Sequence, residues 1–145
     1  MTNDAVLVEI AKKAQGNAYC PYSGYAVGAA VLGADGSVHA GSNVENASIG
    51  LTLCAERVAL ANMASAGCRQ VRAVAVATKD GATPCGACRQ FIAEFCSDPS
   101  QVRVIAVDGA GRTATYTLAE LLPHSFAKAS LDARQPSADQ PLGEP

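Results

Sequence analysis

Charge of either sign is scarce in this chain of 145 residues: Asp, Glu, Lys and Arg make up 17% of it, and the formal net charge is −2. Lysines and arginines form no cluster, and no stretch interleaves them with aromatics. Neutralising phosphates requires such a footprint, so nucleic acid is not an expected partner and free small molecules are favoured. No apolar run is long enough to cross a bilayer, which excludes a spanning helix and any expected membrane partner. Met1 to Gln15 lacks the charged-then-apolar layout of an export signal, since Lys12 and Lys13 follow the apolar positions. A cytoplasmic protein is expected. Histidine is also rare: His39 and His124 are the only two, and neither has ligand spacing to the cysteines.

Hydrophobic residues reach 49%, enough for a single core. One domain is expected over 1–130, followed by a loose, polar, proline-punctuated tail over 131–145. Six cysteines without an export layout read as a reduced set, in which clustering points to metal or catalysis rather than disulfides.

The apolar pattern predicts a helix around Ala5–Ala11 and a hairpin from Tyr25–Leu32 and Ser37–Ser42, with Asp35-Gly36 at its tip. A polar loop should follow over Asn43–Gly50, then a helix over Cys54–Met63. The continuous runs Val71–Thr78 and Val102–Val107 read as buried strands, separated by a helix over Cys88–Phe95. Thr113–Thr117 is a shorter strand, and Thr117 with Glu120 forms a capping box for a last short helix stopped by Pro123. The order α-β-β-α-β-α-β-β-α predicts an α/β domain with helices on the faces of a sheet.

Two segments carry chemistry: Thr52-Leu53-Cys54-Ala55-Glu56-Arg57 and Pro84-Cys85-Gly86-Ala87-Cys88-Arg89. Each lies where a loop enters a predicted helix. Cys85-x-x-Cys88 at a helix start can offer two sulfurs to one ion, and Cys54 can supply a third. Three protein ligands leave a tetrahedral metal one open position, the mark of a catalytic zinc site; a fourth cysteine would instead close a structural one. Three thiolates on a divalent ion carry a net charge of −1. Helix N-termini and the adjacent Arg57 and Arg89 can offset it, although either arginine can equally serve ordinary pairing. Glu56, two residues beyond Cys54, can reach a metal-bound water without ligating the ion, as a proton carrier must.

Cys-Ala-Glu followed by Pro-Cys-Gly-Ala-Cys resembles the zinc deaminase signature, with cysteine in place of the histidine of the His-x-Glu form. The likeness extends through Pro21-Tyr22-Ser23, Val27-Gly28-Ala29-Ala30, Asn43-Val44-Glu45-Asn46-Ala47, Pro84 to Gln90, and Glu120-Leu121-Leu122-Pro123. Together these resemble the small homotetrameric cytidine deaminases, over roughly Ala18 to Phe126. The resemblance implies a three-layer α/β/α fold with a mixed sheet of about five strands. It also implies hydrolysis of cytidine and 2′-deoxycytidine to the uracil nucleosides in pyrimidine salvage, with zinc-activated water and Glu56 as proton shuttle. One Zn²⁺ per subunit would sit on Cys54, Cys85 and Cys88. Asn43 and Glu45 would bind the ribose hydroxyls. Ala55 joins the substrate-binding residues, and Tyr25 falls where the family usually carries a phenylalanine stacked on the base. Phe126 would help close the pocket, often across a subunit boundary in a homotetramer. Tyr25 and Ile49, the latter where the family commonly has a tyrosine, leave open a shift toward modified nucleosides. Outside this class stand a zinc-binding interaction module, which a closed four-sulfur shell would support, and an editing enzyme, which would need a basic groove.

Overall fold

The computed structural model describes residues 3–132. Helix α1, Asp4–Gln15, starts at Asn3, whose side chain accepts a hydrogen bond from the Val6 amide at 2.9 Å. Asp4 in its first turn and Lys12 and Lys13 in its last complement the helix dipole. Strands β1 (Gly28–Gly33) and β2 (Val38–Ser42) form the expected antiparallel hairpin. At its tip Gly36 has φ +85°, and the Asp35 carboxylate accepts from the Ser37 amide.

Strand β3, Val71–Ala77, pairs antiparallel with β1 and parallel with β4, Arg103–Val107; β5, Thr113–Thr117, closes the far edge antiparallel to β4. The five strands run in the order β2-β1-β3-β4-β5, a mixed sheet. One face packs Ala30, Leu32, Ala73, Ala75 and Ile105 against Leu7, Val8 and Ala11 of α1. The other packs Ala29, Val31, Val74 and Val76 against α2 (Ala55–Ser65) and α3 (Gly86–Glu94). Helices on both faces make three layers. They bury both sides of β3 and β4, which is why those strands read as continuous apolar runs rather than alternating ones.

Small residues let the layers close. A Cβ on Gly41 would lie 2.5 Å from the Ala59 amide nitrogen and 2.6 Å from the Ala55 carbonyl oxygen, so β2 and α2 meet backbone to backbone. That contact fixes the start of α2 against the sheet. The short helix α4, Leu118–Leu121, has the capping box expected from Thr117 and Glu120.

The structure departs from the sequence reading in four places. Strand β1 begins at Gly28, not Tyr25, because the side chain of Asn43 holds Tyr25–Val27 in place of a ladder: its Oδ1 accepts from the Val27 amide and its Nδ2 donates to the Tyr25 carbonyl. A 3₁₀ turn at Ile49–Leu51 interrupts the stretch expected to be loop. Helix α3 starts two residues earlier than expected, on Cys85 as its cap. A further helix, α5, spans Lys128–Asp132 and takes in the first residues of the expected tail; 133–145 lie outside the described residues.

Candidate functional site

Cys54 is the N-cap of α2 and Cys85 the N-cap of α3. A Ser, Thr, Asp or Asn there would turn its side chain onto the helix amides. Neither cysteine caps its own helix in this way, which leaves both sulfurs free to face each other. Cys88, one turn into α3, is fully buried, and the three Sγ atoms lie within 4.8 Å of one another. Two helix N-termini, each partially positive, therefore converge on one group of thiols.

The thiols are unequal. Cys54 is drawn down to about 5, first by the hydrogen bond from Cys88 and then by Arg57, while Cys88 is pushed up by that same pairing and by burial. The guanidinium favours the thiolate form of Cys54, and a divalent ion bound by the three sulfurs would displace the remaining protons. Arg57 Nη2 lies 3.5 Å from Cys54 Sγ and donates to the Thr52 carbonyl at 3.0 Å. Its Nε is buried with no hydrogen-bond partner among the described residues.

Arg89 takes a different course. Its guanidinium donates to the carbonyls of Pro84 and Leu121, both at 2.7 Å, and to Thr83 Oγ1 at 2.9 Å. It meets none of the sulfurs with a hydrogen bond. Its effect on the site is mechanical: it ties the segment before Cys85 to α4.

The thiols open onto a cavity of about 310 Å³ whose wall includes Tyr25, Asn43, Glu45, Cys54, Ala55, Glu56 and Cys85, together with Thr52, Thr78, Ala82 and Thr83. Glu56 is 4% exposed, and its carboxyl is raised above the usual carboxylate range, first by burial and further by the charge of Cys54. Asn43 is 7% exposed; bracing Tyr25–Val27 uses one of its amide hydrogens and one lone pair, leaving one of each. Glu45 Oε1 accepts from the amides of Tyr22 and Ser23, and Oε2 accepts from the Ser23 hydroxyl. Three of roughly four carboxylate acceptor positions are thus engaged. These bonds hold Glu45 below the usual carboxylate range, the Ser23 hydroxyl contributing most. Phe126 does not line this cavity; it is 53% exposed, and its carbonyl accepts from Gln90 Nε2.

Sequence reasoning passed over Thr78, Ala82, Thr83 and the role of Ser23. Ser23 lay in a motif already singled out, and its place directly before a glycine at φ +65° was the available signal. The other three sit in a loop whose facing could be read only once β3 and α3 were in place.

Residues 1–105 match the family described as the cytidine and deoxycytidylate deaminase zinc-binding region. A cytidine deaminase of Halalkalibacterium halodurans is 49% identical over 123 residues, covering 83% of this chain and 92% of that protein. The chain belongs to the cytidine and deoxycytidylate deaminase family. The cytidine deaminase of Sporosarcina psychrophila is 43% identical over 86% of the chain and 92% of its own length. The crystal structure of cytidine deaminase from Burkholderia pseudomallei superposes with a TM-score of 0.80 at 41% identity, covering 86% of this chain and all of that one. Its likeness extends to the five-stranded mixed sheet and its flanking helices. The metal of this deaminase-family site is zinc: the matched region carries that description, and three convergent thiolates suit a soft, four-coordinate ion.

Two outcomes follow for this deaminase fold. Cys88→Ala abolishes tight binding of zinc in equilibrium dialysis, whereas Cys96→Ala, outside the cluster, leaves it intact. Because the folded-state pKa of Glu45 lies below its unfolded value, its bonds to Tyr22 and Ser23 favour the folded state above the ordinary carboxylate range, and this contribution is lost as pH falls from that range through the lowered folded value. Thermal melts of Glu45→Ala against the parent should differ at pH 7 and converge as the pH drops below about 4.

Proposed function

We propose that the protein hydrolyses cytidine and 2′-deoxycytidine to uridine and 2′-deoxyuridine, releasing ammonia. The observation that carries this reading is Glu56. It is a buried carboxyl two residues from Cys54, on the wall of the same cavity. A zinc-binding interaction module has no use for such a group, since burying a carboxyl beside the metal ligands costs stability without serving the ion. The relatives named cytidine deaminase share the fold and most of the chain, and they supply the substrate class.

Cys54, Cys85 and Cys88 would hold the ion. Zinc, when bound, supplies the Lewis acidity that makes water nucleophilic near neutral pH. Glu56 does the proton work. It accepts a proton from the attacking water and delivers it to N3 of the pyrimidine, so that C4 gains the oxygen. It then carries the second proton from that oxygen to the departing amine, and the C4–N bond breaks. Water and cytidine enter, and uridine and ammonia leave. Arg57 stabilises the Cys54 thiolate from outside the cavity, and Arg89 steadies the loop that presents Cys85.

The ribose reading of Asn43 and Glu45 is supported by what they have left over. Asn43 retains one N–H, and Glu45 Oε2 retains an acceptor position, a donor and an acceptor suited to a diol. Ala55, fully buried at the start of α2, is part of the cavity wall. Tyr25 supplies an aromatic surface for the base.

The assembly is a homotetramer in this reading. Val44, Ile49, Leu51 and Leu53 are all more than two-fifths exposed, and the intervening residues Glu45 and Thr52 line the cavity. A second copy covering these side chains and Phe126 would bury apolar surface directly beside the site. We place residues 1–130 in one domain acting on free nucleosides in cytoplasmic pyrimidine salvage. No helix among the described residues is long and apolar enough to cross a membrane.

Glu56→Gln should retain zinc and lose at least about a hundredfold in turnover of cytidine, the usual scale of general acid–base catalysis. Turnover at the parental rate would contradict the assignment. Sedimentation should give four chains per particle, and a stable, active monomer would remove the tetramer.

A further inference from the structure

One wall of the cavity has a support that the reaction does not call for. Tyr25 lines the cavity, and its hydroxyl donates to Asp80 Oδ1 across 55 positions of sequence. The Lys79 ammonium stands over the same ring, 5.4 Å from its centroid, a cation–π arrangement on one face.

Asp80 is itself held. It forms an isolated antiparallel bridge with Asp108 in the turn between β4 and β5, and the Gly109 amide donates to the Lys79 carbonyl at 3.3 Å. The next residue, Gly81, has φ +72°, a conformation that favours glycine. Further along the loop the Ala82 amide donates to Thr78 Oγ1 at 2.9 Å, and Thr83 and Pro84 accept from Arg89. One braced loop, Thr78–Pro84, thus carries the anchor of Tyr25 and leads directly into the ligand Cys85. The pair is also stable in protonation: the Tyr25 hydroxyl holds Asp80 below the usual carboxylate range, while burial and Asp80 hold Tyr25 above the usual phenol range.

We propose that Asp80 is a positioning residue for the substrate: by accepting the Tyr25 hydroxyl it fixes the aromatic ring as a preset wall against which the flat base seats. A phenylalanine at this position would have no such anchor, and its ring would have to be ordered when the substrate binds, at a cost in affinity. The placement of the base rests on the nucleoside reading above; the hydrogen-bonded anchor does not.

The test is steady-state kinetics on zinc-loaded protein with cytidine, comparing the parent with Asp80→Ala, Tyr25→Phe and the double variant. Each single change should raise KM about threefold to tenfold, the scale of one hydrogen bond's net contribution, with a smaller effect on kcat. The double variant should match Tyr25→Phe alone, because both changes remove the same bond. A parental KM in Asp80→Ala, or effects that multiply in the double variant, would overturn the proposal. Tyrosine labelled with ¹³C at Cζ gives a readout independent of turnover and of lost stability. The resonance absent in Tyr25→Phe should titrate at lower pH in Asp80→Ala, and an unmoved titration overturns the anchor. A parent protein that leaves cytidine intact removes the nucleoside reading and the base-seating role with it; the anchor itself is then decided by the tyrosine resonance.

Discussion

Three sulfurs within 4.8 Å of one another cannot all ionise without a cation between them, and the rest of the site is arranged around that constraint. Without compensation, thiolates at this spacing repel one another more strongly than a fold of marginal stability tolerates. The chain relieves the repulsion in three ways. It presents Cys54 and Cys85 at the N-termini of α2 and α3, it sets Arg57 against Cys54, and it draws the sulfurs into a geometry suited to zinc. With three protein sulfurs in the cluster among the described residues, a bound zinc would keep a position for water.

Precision at that position depends on contacts far from the metal. Gly41 lets β2 press against α2, which sets the height of Cys54 and Glu56 over the sheet. Arg89 fastens the segment before Cys85 to α4 by three hydrogen bonds. Asn43 braces Tyr25–Val27 from within the cavity wall. Each contact joins segments distant in sequence, so the reactive groups sit on a rigid frame rather than on free loops. Such support is what keeps a catalytic constellation within the tolerance its chemistry requires.

Much of the site was legible in the sequence, for a local reason. Cys54 and Glu56 lie on one helix start and Cys85 and Cys88 on another, so their relative positions follow from helix geometry alone. The central strands were legible because burial on both faces leaves continuous apolar runs, and the tip of the hairpin because Asp-Gly turns are chemically distinctive. What escaped was non-local. The hydrogen bond between Tyr25 and Asp80 spans 55 positions, and the brace that shortens β1 comes from a side chain beyond β2. Arg57 and Arg89 hold matching places in the two ligand segments, yet both donate to carbonyls and only Arg57 also reaches a sulfur. Phe126 was legible as an aromatic near the end of the fold, but its exposure outside its own cavity emerges only in three dimensions.

At the centre of the proposed reaction, water adds at C4 of the base and ammonia departs from it. Mass spectrometry of uridine formed from cytidine in H₂¹⁸O, with the zinc-loaded protein and ammonia measured in parallel, tests it most directly. The account predicts one ¹⁸O at C4 of each uridine and one ammonia per turnover. Intact cytidine, or uridine without the solvent label at C4, would contradict it.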